Sequence, residues 1–175
     1  MSAVAVPSNP RVLELAELDR REVDALVAAH GAKLREVAPG EPIPGSYWGG
    51  AEAGLVGDTV YARPDTPAHS LLHELCHFIC MDEKRRAALA TDAGGSDEEE
   101  CGVCYLQVLL AERLTGFGAA RCLADMDTWG YSFRQGSARA WFEGDGGHAL
   151  AWLAAHTLVD EGGAPTERVR GEELG

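Results

Sequence analysis

The stretch Ser70-Leu71-Leu72-His73-Glu74-Leu75-Cys76-His77-Phe78-Ile79 sets two imidazoles and one carboxylate into a proline-free, mostly apolar run. Such a run folds as a helix with a large buried face, and the fold must then deal with Glu74, because an unpaired carboxylate in an apolar interior is costly. Residues four apart on a helix share a face about one turn along its axis. His73 and His77 can therefore turn both rings to one divalent ion, with Glu74 beside it. Zinc held in this way takes a third protein ligand and keeps a position for water. A glutamate in the second place of an H-E-x-x-H pattern is set to accept that water's proton as it attacks a carbonyl. The pattern points to metal-assisted hydrolysis. The competing account is an amphipathic helix whose histidines bond backbone in the core while Glu74 is solvated.

A chain of 175 residues with 46% hydrophobic content has room for one ordinary domain with a real core. Its formal charge of −13 disfavours nucleic acid and anionic membrane as partners. Much of the excess acid sits in Asp97 to Glu100 and in the tail from Glu167 to Glu173. No targeting segment is visible at residues 1–10, no apolar run is long enough to span a bilayer, and no internal repeat is apparent. The five cysteines (76, 80, 101, 104 and 122) are odd in number, and four lie in apolar helical patterns. A reduced, cytoplasmic setting is expected rather than a disulfide scaffold.

Helical spacing is expected within residues 11–30, closed by Gly31 as a C-cap, and Lys33 to Val37 reads as a short strand. Pro39 to Gly50 is a loop that carries Tyr47 and Trp48. Leu55 to Arg63 reads as strand or hairpin around Gly57-Asp58. Asp65-Thr66-Pro67 starts the metal helix, with Thr66 or Asp65 as N-cap and Pro67 at the first helical position. That helix runs to about Cys80, and a more polar one covers Asp82 to Ala90. After a linker from Thr91 to Ser96, Glu98 to Leu114 is apolar nearly all round and should be buried. Ala119 to Met126, Ala138 to Phe142 and His148 to Val159 are further helices. The expected fold is a single, mostly helical α+β domain with a small sheet before the metal helix; the segment from Glu161 onward should fray.

A third ligand must come from elsewhere. A histidine six residues after His77 would complete one known pattern, but Cys80 and Glu83 stand where its glycine and histidine belong. The alternative is a glutamate from a second helix, and Glu98-Glu99-Glu100 opens one. By helical phase Glu99 shares the most apolar arc with Val103, Leu106 and Leu110, whereas Glu98 lies nearer Tyr105 and Glu100 nearer Gln107. An inward-pointing ligand favours Glu99. The other acids have an ordinary explanation, since a helix N-terminus collects negative charge against its dipole.

His73-Glu74-x-x-His77, followed some twenty residues later by a glutamate on a second helix, resembles the gluzincin branch of the zincin metallopeptidases. Small size, the strand-like segment before the metal helix, and acids entering an apolar helix are also similar to the compact bacterial ImmA/IrrE-like peptidase domains. The resemblance covers roughly residues 54–114. It implies a minimal zincin-like domain over 1–160 with an acidic tail over 161–175. It also implies one zinc per chain held by His73, His77 and Glu99, with Glu74 as general base and a peptide or protein as substrate. The chain departs from the family where Cys101-Gly102 and Cys104-Tyr105 replace the usual alanine-asparagine and phenylalanine-alanine pairs, and that alignment favours Glu98 instead.

Other chemistry competes. Cys76, Cys80 and the Cys101-x-x-Cys104 pair could hold a structural zinc, or a cysteine could pair with a histidine as nucleophile, although packing alone explains cysteines inside apolar helices. Tyr105, Tyr131, Arg139, His148 and His156 are candidates for stabilising an oxyanion, and Asp92, Asp125 and Asp127 for supporting the histidines. Trp129, Trp141 and Trp152 are expected to fill a core. A binding or regulatory protein that keeps the metal without cleaving anything is the alternative function.

Overall fold

Asp19 accepts a hydrogen bond from the Arg21 N–H and so starts the first helix, α1 (Arg20–Ala29). Gly31 at φ 78° then turns the chain into β1 (Lys33–Glu36). The computed structural model describes residues 11–46, 49–88 and 95–171. Tyr47, Trp48, Asp92 and the end of the polar helix at Ala90 lie outside them. β2 (Gly54–Val56) and β3 (Thr59–Ala62) form the expected hairpin about Gly57 and Asp58. β1 pairs in parallel with β3, giving the order β1-β3-β2.

The metal helix, α2, is Ala68–Cys80. Pro67 is its N-cap rather than its first residue, so the helix starts one place later than expected, and Thr66 Oγ1 is taken up by the Arg63 N–H at 2.8 Å. α2 buries Leu71, Leu72, Leu75, Phe78 and Ile79 against the sheet and against α4 (Asp97–Ala111). The short α3 (Glu83–Ala88) lies between them in sequence. α5 (Gly118–Trp129), α6 (Ala138–Gly144) and α7 (Gly147–Ala155) complete a single α+β domain of seven helices and three strands among the described residues. None of these helices is long and apolar enough to cross a membrane.

α4 touches α2, α5 and α7, which accounts for its apolar character on nearly every side. At Gly102 the approach to α7 is so close that a Cβ would stand 2.6 Å from the Trp152 ring. Two expectations fail. Residues up to Gly171 do not fray: Thr166 N–H bonds the Leu158 carbonyl, Val169 is buried, and Arg170 N–H bonds the Ile79 carbonyl at 2.8 Å. Of the three tryptophans, Trp141 fills a core and Trp152 is half-buried, but Trp129 is 47% exposed.

Candidate metal centre

Three helix-borne side chains converge. His73 and His77, one turn apart on α2, bring their Nε2 atoms to 3.1 Å. Glu100 reaches across from the first turn of α4, with Oε1 3.3 Å from His73 Nε2 and Oε2 3.3 Å from His77 Nε2. Among the described residues these three form the one group of histidine, cysteine and acidic ligand atoms close enough to share an ion. A tetrahedral zinc with arms of about 2.0 Å needs ligand atoms about 3.3 Å apart. The observed edges fit that requirement, and two imidazoles with a carboxylate are a donor set that zinc accepts. Glu100 keeps 48% of its side chain exposed, so the group is open to water on that side.

The Ser96 hydroxyl sets the register at the head of α4 by accepting the Glu99 N–H. Consecutive residues on a helix point about 100° apart, so Glu99 and Glu100 cannot face the same neighbour. Glu100, Cys104 and Gln107 make the stripe turned to α2. Glu99, the ligand expected from the apolar arc, is buried elsewhere. Its carboxylate is clamped by Arg85 from α3, at 2.9 Å from Nη1, and by Arg170 from the C-terminal segment, at 3.3 Å. Helical phase misleads here because α4 packs on α2, α5 and α7 at once, so its apolar arc does not single out the side turned to the metal helix. Glu98 is exposed and borders a groove between α4 and α7.

No protein-family model, curated protein or solved structure matches this chain.

Behind the ligands lies a layer of Gln107, His69 and Tyr131, of which the sequence singles out only Tyr131, and that as an oxyanion donor. His73 Nδ1 meets Gln107 Oε1 at 2.7 Å, and Gln107 Nε2 donates to the His69 carbonyl at 3.2 Å. With the amide so oriented, Oε1 accepts from Nδ1–H and leaves the Nε2 lone pair of His73 free for a cation. Gly130, at φ 103°, ends α5 and folds Tyr131 back over α2. There its ring stands edge-on to both His69 and His73, and its hydroxyl is 3.2 Å from His69 Nδ1. Burial pushes Tyr131 up to about 12 and, with the neighbouring His73, pushes His69 down to about 3. The phenol therefore keeps its proton and donates a hydrogen bond to Nδ1 of the neutral imidazole.

Burial opposes charge on His73, but Tyr131, Cys104 and Glu100 around it hold its pKa well above the ordinary imidazole value. Burial likewise works against the Glu100 carboxylate, and hydrogen bonding to His73 with the charge of both imidazoles brings its pKa down. Glu74 is mostly buried beside the pair, and that burial raises it to about 7, helped by Glu100 and Glu52 and opposed by His73.

The remaining candidates have other employment. Tyr105 stacks on Phe142, Arg139 pairs with Glu143, His148 borders the α4–α7 groove and His156 stacks on Trp152. Asp125 accepts from Leu13 N–H and pairs with Arg121, and Asp127 accepts from Ala138 N–H at the head of α6. The described cysteines are all free thiols, and the group of potential metal ligands contains none of them.

Proposed function

We propose that the chain is a zinc-dependent hydrolase of peptide or related amide bonds, with His73, His77 and Glu100 as metal ligands. The triangle of 3.1, 3.3 and 3.3 Å between their ligand atoms carries this reading. When bound, zinc would supply Lewis-acid activation of water and of a substrate carbonyl. Glu74, one residue from His73 and with its carboxyl raised to about 7, would take a proton from the attacking water and return it to the leaving amine. Gln107 holds His73 in the tautomer that presents Nε2, and Tyr131 with His69 backs that layer. Free thiols throughout the described residues fit a reducing compartment, and we place the protein in the cytoplasm on that ground.

The test combines metal content with turnover of a quenched-fluorescence peptide library. Purified protein should carry about one zinc per chain. His73→Ala should lose it, whereas Glu74→Gln should keep it and lose hydrolysis. Undiminished cleavage by Glu74→Gln, or a wild-type protein that takes up no zinc, removes the mechanism.

A further inference from the structure

A second open space lies at the N-terminal end of the metal helix. It is a cleft of about 590 Å³ bounded by Pro67 at the head of α2, Ala51 before β2, Arg11 and Glu14 on the incoming chain, Asp65, and Trp129 at the end of α5. Two walls tie it to the metal centre. On one, Trp129 meets His69 edge-on at 5.4 Å, His69 meets Tyr131 at 5.4 Å, and Tyr131 meets His73 at 5.6 Å. On the other, Ala51 adjoins Glu52, whose charge bears on Glu74, and the next residue, Ala53, donates its N–H to Ser70 Oγ at 3.0 Å. His69 and His73 share one face of α2, so the cleft and the ligand pair lie along the same stripe. Six residues of helix separate Pro67 from His73, about 9 Å, the reach of about three residues of extended chain.

The lining selects for a cation. Trp129 is the one large hydrophobic side chain that stands exposed among the described residues. Beside it is the Glu14 carboxylate; the other acid of the lining, Asp65, is held by Arg63 through both oxygens, at 2.9 and 3.0 Å, and the single guanidinium of the lining, Arg11, is drawn off into an ion pair with Glu17. An ammonium or guanidinium over an indole face and against a carboxylate gains on both counts. An acidic side chain would meet like charge from Glu14 and, further in, Glu52, in a chain of net charge −13. An apolar side chain would cover Trp129 but leave the Glu14 carboxylate without a cation against it. The geometry points to a specificity subsite for a lysine or arginine of the substrate, carried about three residues from the bond to be cleaved. It rests on the hydrolase reading for the position of that bond, though not for its ligand.

The test uses the full chain supplied with zinc and carrying Glu74→Gln, so that peptides bind without turnover. Three fluorescein-labelled octapeptides differ only in bearing lysine, leucine or glutamate three residues from the central bond, and are titrated by anisotropy at 0.15 M salt. The lysine peptide should bind about tenfold more tightly than either of the others, as two favourable contacts of this type allow. Trp129→Ala and Glu14→Gln should each erase most of that preference while zinc content is unchanged. Equal affinities, a preference that survives both substitutions, or no binding at all overturns the subsite. Turnover is read separately on the wild-type protein. Selective binding without cleavage sinks the hydrolase and leaves the subsite standing, whereas cleavage indifferent to the lysine does the reverse.

Discussion

Gln107 Oε1 stands 2.7 Å from His73 Nδ1, and the same amide gives its N–H to the His69 carbonyl one turn back along α2. A buried glutamine on α4 thus reads the backbone of the metal helix and sets the proton of its first ligand. Gln107→Leu keeps the bulk but removes that orientation. Zinc affinity should fall about 10–100-fold, the usual effect of losing such a partner, when measured by competition with a chromophoric chelator. Tyr131→Phe, which removes a hydroxyl one contact further out, should cost only a few-fold. Equal losses for both would mean that Gln107 has no special place.

The two neighbouring acids of α4 should separate cleanly. Glu100→Gln removes a ligand and should abolish tight zinc binding, while costing the metal-free protein less stability than Glu99→Gln does. Glu99→Gln should leave zinc content intact and cost stability, because Arg85 and Arg170 lose the carboxylate on which both converge. Breaking a fully buried pair costs roughly 3–5 kcal/mol, and both arginines keep partial contact with water, so about 2 kcal/mol is expected. Urea titration of the two metal-free variants checks this, and a reversal of their roles would restore Glu99 as the ligand.

Much of the scaffold can be read from the chain alone, because α1, α2, α4 and the hairpin each carry a clear period or turn signal. The third ligand cannot be read in that way. α4 packs on three other helices, so its most apolar arc has no unique partner, and Glu99 is buried by arginines distant in sequence. A usable signal exists in Gln107, an uncharged polar residue amid Leu106, Val108 and Leu109, with Glu100 seven residues earlier on the same face. The C-terminal segment deceives for a related reason. Its acids suggest a solvated tail, yet Arg170 docks on the end of α2, bonds Glu99 and lies over the Trp152 ring at 5.4 Å. Trp129 deceives oppositely, since a large aromatic residue suggests core and this one faces a cleft.

Glu74 makes the metal-free protein sensitive to pH. Its carboxyl is raised from 4.5 to about 7 by burial, so between those values the folded state binds more protons than the unfolded one. Stability must then fall as pH rises through that window, by on the order of 3 kcal/mol from this group. Glu74→Gln has no such proton to lose. The metal-free variant should match wild type near pH 4.5 and exceed it at pH 8, as thermal melts in chelator would show. A gap that is the same at both values would mean that Glu74 is solvated.

Zinc uptake should release protons, and the number is informative. In the metal-free centre His73 is held well above the ordinary imidazole pKa by Tyr131, Cys104 and Glu100 against the effect of burial, so it carries a proton at pH 7. That proton occupies the place of the cation between Nε2 and the Glu100 carboxylate, and an ion can enter only as it leaves. Glu74 is about half protonated at the same pH, and a nearby divalent charge favours its ionised form. Together they predict release of about one to two protons per zinc at pH 7. Calorimetric titration in buffers of differing ionisation enthalpy measures the number directly. Affinity should rise with pH until His73 titrates and then level off. Glu74→Gln should lower the count to about one at pH 7, because only the His73 proton then remains to be displaced. A binding enthalpy that does not change with the buffer would show that the imidazoles are neutral before the metal arrives, and that the charge on His73 is not what zinc replaces.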